Sequence, residues 1–464
     1  MKYQKIIFWG IIYLFLSMAS ADPVSTTQQF SLNNGLKILI KEDHRAPVVV
    51  SQIWYRVGSS YEELGNTGIS HVLEHMMFKG TPAHPAGELS RIIAAQGGSE
   101  NAFTGRDYTA YFQSIEKSRL AICLELEADR MRNLILDPIE FQKELQVVME
   151  ERRLRTDDDP QAITQEQLFA TAFVNSPYRW GIIGWMEDLE NLTVEELRAW
   201  YQRWYNPNNA ILIVVGDVNW QEVQKLAERY FGSLTNREEI FLPPKKIAEP
   251  RQLGERRVIV KAPARLPYLV MGYHVPALRN SANSWEPYAL EVLAQLLAGD
   301  DSSRFSRELV RGAEIAAGIG VNYSLYSRLD ELFTLGGVPA QGKDIATLEN
   351  ALRTQIQRIR NEPVLTDELE LVKIRAVADN VYERDSIFYQ AMQLGLLETI
   401  GLDYRIANEY VDRIRAVTPD QIQEVAKKYL IDDQLTVAIL DPQPIQAKKD
   451  PAEFSSHHSN ISRD

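Results

Sequence analysis

Period-two alternation of apolar and polar positions marks "FSLNNGLKILIKED", "VVVSQIWYRVGSS" and "SENAFTGRDYTAYFQSI" as strands around turn signals. Between them, "GISHVLEHMMFKG" (68–80) and "AGELSRIIAAQ" have helical spacing, several more helices are expected from 117 to 205, and an apolar strand closes the region. The ending then recurs. "NLTVEELRAWYQRWYNPNNAILIVVGDV" (191–218) and "AVTPDQIQEVAKKYLIDDQLTVAIL" (416–440) both read as threonine cap, amphipathic helix, polar turn and apolar strand. Placing Thr193 on Thr418 gives an offset of 225. Prolines and charges in "FLPPKKIAEPRQ" predict a linker over 241–252. The expectation is an α+β chain of duplicated two-domain architecture, with homologous halves at 22–240 and 253–445. Each half should be a mostly antiparallel sheet with helices packed on one face.

The duplication also bears on the helix at 68–80. Gly80 placed on Gly299, an offset of 219, lays that helix over "LEVLAQLLAG" (290–299). His71 then meets Leu290, Glu74 meets Leu293 and His75 meets Ala294. A helix at this place in the fold is thus expected to manage with apolar residues alone, so packing does not explain the polar trio.

Length agrees with two halves, since 464 residues exceed one ordinary core. Residues 1–21 read as a signal peptide: basic "MKYQK", an apolar run "IIFWGIIYLFL", then "SMASA" with cleavage expected near Ala21. That run is too short to span a bilayer of about 30 Å, so no stable membrane anchor is expected and export, to the periplasm, is. Cys123 is the single cysteine, which excludes an intrachain disulfide. Removal of Lys2 and Lys5 with the signal would take the net charge from −13 to −15, which argues against nucleic acid as a partner. Residues 446–464 read as a disordered tail, and His457 and His458 within it as incidental.

His71 and His75 stand at i and i+4 and so leave a helix from one face, where two imidazoles can meet one zinc ion. Glu74 lies beside that face, placed to take a proton from a water that zinc acidifies. The order HxxEH is the inverse of HExxH. A third ligand is expected from "DPIEFQKELQVVMEERRLR", where Asp137 reads as a cap, Pro138 as the first turn and Glu140 as the rest of a capping box. Glu144 and Glu151 share a face of that helix, and spacing alone does not choose among Glu144, Glu150 and Glu151.

The pair "HVLEH" and "ELQVVMEE", with 76 positions from His75 to Glu151, resembles the pitrilysin-type zinc peptidases, the inverzincins. The duplicated layout and "GGSENAFTGRDYTAYF" extend the resemblance over most of residues 28–442. It implies His71, His75 and Glu151 as zinc ligands, Glu74 as general base and Glu144 as a supporting carboxylate. It also implies that the strand carrying Asn101 and Ala102 pairs with the backbone of extended peptide substrates.

One departure stands out. Active members of the family carry an arginine and a tyrosine in the second half, and in "RELVRGAEIAAGIGVNYS" Arg311 takes the arginine place while Ala317 stands where the tyrosine is expected. Tyr323 is a nearby but poorly placed substitute. In some bacterial relatives the zinc motif and the Arg/Tyr pair lie on different chains. The resemblance therefore implies a zinc-bearing subunit whose partner is a homologous chain, in a heterodimer or a homodimer. The alternative is a non-catalytic structural or peptide-binding subunit of the same fold.

Overall fold

The computed structural model describes residues 27–237 and 248–445. The expected signal segment 1–21, linker positions 241–247 and tail 446–464 lie outside the described residues. The first sheet has β1 (Gln28–Ser31), β2 (Lys37–Glu42), β3 (Val48–Tyr55), β4 (Ser99–Thr104), β5 (Thr109–Glu116) and β6 (Ala210–Gly216), in the order β1-β2-β6-β3-β5-β4. The second has β7 (Arg256–Pro263), β8 (Tyr268–Val275), β9 (Ala316–Asn322), β10 (Glu331–Pro339) and β11 (Leu435–Gln443), in the order β7-β11-β8-β10-β9. Without β1 the two orders are the same, and in each sheet only one pair, β2 with β6 and β7 with β11, is parallel. This is the mixed α+β, duplicated architecture that the pattern predicts.

The helices of the first half are α1 (Ile69–Met76), α2 (Glu88–Ala95), α3 (Leu120–Asn133), α4 (Pro138–Arg152), α5 (Pro160–Ala172), α6 (Met186–Asn191), α7 (Val194–Trp204) and α8 (Trp220–Phe231). Those of the second are α9 (Trp285–Ala298), α10 (Ile345–Asn361), α11 (Thr366–Glu383), α12 (Ile387–Thr399), α13 (Tyr410–Ala416) and α14 (Pro419–Tyr429). Local signals explain several starts. Thr193 and Thr418 each form a reciprocal capping box, with Glu196 and Gln421. Asp137 caps α4 through the N–H groups of Ile139 and Glu140, but Glu140 does not complete a box, because its carboxylate pairs with Lys143 at 2.7 Å.

One face of each sheet packs on its own helices. The opposite face carries a helix from the other half: α5 lies on the second sheet through Leu168 and Ala172, and α12 lies on the first through Ala391 and Leu394. Burial on both faces is why β6, "AILIVVG", is apolar throughout. Across the repeat a large and a small residue change places. Trp54 of β3 packs on Gly395 of α12, where a Cβ would sit 2.0 Å from the indole. In the second half Gly272 of β8 faces Leu168 of α5. Trp54 pairs with Ile211 as Gly272 pairs with Thr436, so the positions correspond. Gly395→Leu should cost at least about 1–3 kcal/mol by overpacking, and adding Trp54→Gly should recover part of it. Additive losses in urea unfolding of the single and double variants would rule the exchange out.

A buried ion pair ties the halves together. Arg328 Nε donates to Asp107 Oδ1 at 3.1 Å, its Nη2 donates to Ser60 Oγ at 2.7 Å, and Tyr178 donates its hydroxyl to Asp107. Among the described residues no helix is long and apolar enough to cross a membrane.

Candidate metal centre

The start of α1 is fixed by backbone contacts. Gly68 has φ 90, and a Cβ there would come within 2.2 Å of the Ile183 carbonyl oxygen, so glycine is required on both counts. The Gly68 and Ser70 N–H groups donate to the buried Glu62 carboxylate at 2.8 and 2.9 Å, which does the work of a cap side chain. Burial pushes the Glu62 carboxyl up to about 8, against the pull of those two donors.

From this anchored helix His71 and His75 face α4. Glu151 Oε2 lies 3.4 Å from His75 Nε2 and 3.8 Å from His71 Nε2. Two ligands of a tetrahedral zinc with bonds of ~2.0 Å stand about 3.3 Å apart, so these gaps fit a shared ion. The ligand atoms of the three residues all lie within 4.8 Å of one another, and no other such group occurs among the described residues. Burial, then His75 and Arg155, push His71 down to about 3. The ring is therefore neutral at neutral pH, as metal ligation requires.

The two carboxylates of α4 divide the remaining work. Glu144 Oε1 accepts from His75 Nδ1 at 3.1 Å while its Oε2 takes Lys79, which leaves the Nε2 lone pair facing Glu151. Burial acts to raise the Glu144 pKa, but the hydrogen bonds from Lys79 and His75 hold it below the ordinary value. Glu151 Oε1 pairs with Arg155 at 3.0 Å, just where α4 passes into a π turn at Arg153–Asp157. Glu150 turns outward to Arg153 at 2.9 Å. If Glu144 orients His75 toward an ion, Glu144→Gln should lower zinc affinity about 10–100-fold. Competition titration with a chromophoric chelator measures it, and unchanged affinity would make that contact incidental.

Glu74 stands beside the trio, and its Oε2 accepts from Thr104 Oγ1 at 2.5 Å. Burial raises its pKa, opposed by the Thr104 hydrogen bond. His71, Glu74, His75 and Glu151 open on a cavity of about 580 Å³ whose wall includes Asn101, Ala102, Phe103 and Thr104 of β4. Strand β4 is the sheet edge and has β5 as its single neighbour. The Ala102 N–H donates to Asn101 Oδ1 at 2.9 Å.

Arg311 is not brought to this cavity, since it is exposed after the π turn Ser306–Val310 and donates to the Asp301 carbonyl. Ala317 lies on β9, the edge of the second sheet. Tyr323 donates its hydroxyl to the Pro276 carbonyl at 2.7 Å and lines a cavity of the second half and the cleft between the halves. Sequence reasoning missed Lys79, Thr104 and Arg155. Two of these were open to it: Lys79 follows His75 by four residues, and Arg155 follows Glu151 by four.

The counterpart helix α9 differs from the apolar helix expected. Leu290 and Leu293 face the core, while Glu291 and Gln295, four apart like His71 and His75, face the matching cavity. The offset here is 220 and not 219, and one residue rotates a helix by about 100°. The two histidines are replaced by polar residues and not by apolar ones, while Glu74 falls on the buried Ala294.

The profile described as insulinase (peptidase family M16) matches residues 37–184, and that described as peptidase M16 inactive domain matches 191–375. The chain belongs to peptidase family M16. Among M16 relatives, zinc protease PqqE of Helicobacter pylori is 33% identical over 441 residues, 93% of this chain and 96% of that one. An uncharacterized zinc protease of Mycobacterium leprae is 27% identical over 419 residues, 89% of this chain and 91% of that one. The crystal structure of a protease from Helicobacter pylori matches with TM-score 0.86 and 31% identity, covering 90% of this chain and all of that one. The periplasmic protease PqqL from Escherichia coli shares the fold, with TM-score 0.75 and 20% identity over 94% of this chain and 52% of that one.

Proposed function

We propose that this M16 chain is an exported zinc-dependent endopeptidase that cleaves extended peptides, and that it is the zinc-bearing member of a pair of homologous chains. One observation carries the peptidase reading: His71, His75, Glu151 and Glu74 share one cavity with the unpaired edge of β4. An extended peptide added to β4 gains main-chain hydrogen bonds, and its scissile carbonyl then runs past the imidazoles. Its backbone would displace Asn101 Oδ1 from the Ala102 N–H. His71, His75 and Glu151 would hold zinc, which when bound supplies Lewis acidity toward the carbonyl and a more acidic water.

The chain's own residues handle the protons. Glu74, ionised and partly desolvated, takes a proton from the attacking water and returns it to the leaving amine. Thr104 keeps the Glu74 carboxylate turned toward the cavity, and Glu144 keeps His75 in one tautomer. Export is supported by the basic-then-apolar pattern of residues 1–21. Pairing is supported by Ala317, which offers no hydroxyl to a developing oxyanion, and by the length of the PqqL chain, about half of which this chain leaves unmatched.

The test is hydrolysis of internally quenched peptides by the purified chain, alone and mixed with a homologous chain lacking HxxEH. Activity lost to a chelator, restored by zinc and raised by the second chain is the expected result. Full activity of the isolated chain would remove the pairing, and chelator-insensitive activity would remove the metal.

A further inference from the structure

The second half has a cavity of about 370 Å³ at the place that matches the metal centre. Its helices correspond one to one with those around His71. Helix α12 spans Ile387–Thr399 as α5 spans Pro160–Ala172, an offset of 227 that puts Gln393 on Glu166. Aligning the starts of α11 and α4, Thr366 on Pro138, puts Asp379 on Glu151, Asn380 on Arg152 and Glu383 on Arg155. With Glu291 on His71 and Gln295 on His75, every one of these residues lines its own cavity. The metal trio His, His, Glu has become Glu, Gln, Asp.

Three carboxylates, those of Glu291, Asp379 and Glu383, face this space, and no Lys, Arg or His lines it among the described residues. Two further polar groups are left without partners there. Asn380 is 5% exposed and its Oδ1 has no hydrogen-bond partner, and the buried Tyr326 hydroxyl has none either. Both can accept a hydrogen bond, which an N–H cation would supply. The wall also carries four tyrosines, Tyr323, Tyr389 and Tyr410 beside Tyr326. The carboxylates do not converge as metal ligands, since the single converging group among the described residues is the His71 trio. Ring faces with carboxylates in a cavity of this size suit an organic cation.

The cavity also leads toward the metal centre. Through Tyr323, Ser324, Tyr326 and Leu396 it adjoins a cleft of about 480 Å³ between the halves, and Ile182 is common to that cleft and the metal-centre cavity. We propose that the second-half pocket binds the guanidinium or ammonium group of a basic residue in the peptide. That the cation arrives on a peptide rests on the peptidase reading, whereas the pocket's affinity for it does not depend on turnover.

Binding to the zinc-loaded full chain carrying Glu74→Gln tests this without cleavage. The probes are N-acetylated, otherwise neutral peptides with one Arg or its neutral isostere citrulline, read by fluorescence anisotropy at physiological salt. The Arg peptide should bind about tenfold tighter, and Glu291→Gln or Asp379→Asn should erase the difference. A citrulline peptide with a free N-terminus that gains the same preference, lost in the same variants, would support the pocket with an α-ammonium as its ligand. Asp379 is exposed, so Asp379→Asn keeps the test open if Glu291→Gln fails to fold. Equal affinity for Arg and citrulline, or an Arg preference that survives both substitutions, would overturn the proposal. Failure of the peptidase reading shows separately, as absent hydrolysis by the native zinc-loaded chain even when it is mixed with the homologous chain.

Discussion

Glu74→Gln should abolish peptide hydrolysis, with a loss of about 10²–10⁴-fold, while the variant still binds about one zinc per chain. Glutamine keeps the size of the side chain and can still accept the Thr104 hydroxyl, so the cavity wall is preserved. It cannot take a proton. The pH profile of the native chain carries the same assignment. Burial raises the Glu74 pKa above the ordinary 4.5, and a base works only when ionised, so kcat/KM should fall as pH drops through a value above 4.5. Thr104 donates to the ionised form and lowers that pKa. Thr104→Val should therefore move the acid limb to higher pH, because the effect of burial is then no longer opposed by that hydrogen bond. A Glu74→Gln variant that kept its metal and more than about a tenth of its activity would assign the proton transfer elsewhere.

Residues close in sequence were legible, and long-range partners were not. His71 and His75 can be read because four residues bring them to one face, and Thr193 and Thr418 because a cap acts within one turn. Glu144 and Glu151 share a face by the same rule, yet which of them meets Nε2 depends on how α4 lies against α1. No local spacing records that. The crossing of α5 and α12 to the opposite sheets was equally hidden, since Leu168 and Gly395 look like ordinary core positions until Gly272 and Trp54 are placed against them. The offset at α9 shows how sharp the limit is. A glycine match wrong by one residue turned Glu291 and Gln295 out of view, and with them the polar character of the second cavity.

Glu151→Gln should remove zinc binding, with a loss larger than the about 10–100-fold expected of Glu144→Gln, while Glu150→Gln should change nothing. All three carboxylates sit on one helix, so composition and net charge are altered identically, and only geometry separates the outcomes. Glu151 lies 3.4 and 3.8 Å from the two Nε2 atoms, Glu144 lies on Nδ1, and Glu150 points to Arg153. Stability offers a readout that needs no substrate. An ion bound by the folded chain and not by the unfolded chain raises Tm by mass action. Zinc should thus raise Tm in the native chain and in Glu150→Gln, raise it less in Glu144→Gln at limiting metal, and leave Glu151→Gln unmoved. Without zinc the Glu151 variant should melt close to the native chain, because its lost partner Arg155 is largely exposed and surface pairs contribute only about 0–1 kcal/mol. A zinc-dependent rise of native size in Glu151→Gln would take this residue out of the ligand set and return the choice to Glu144.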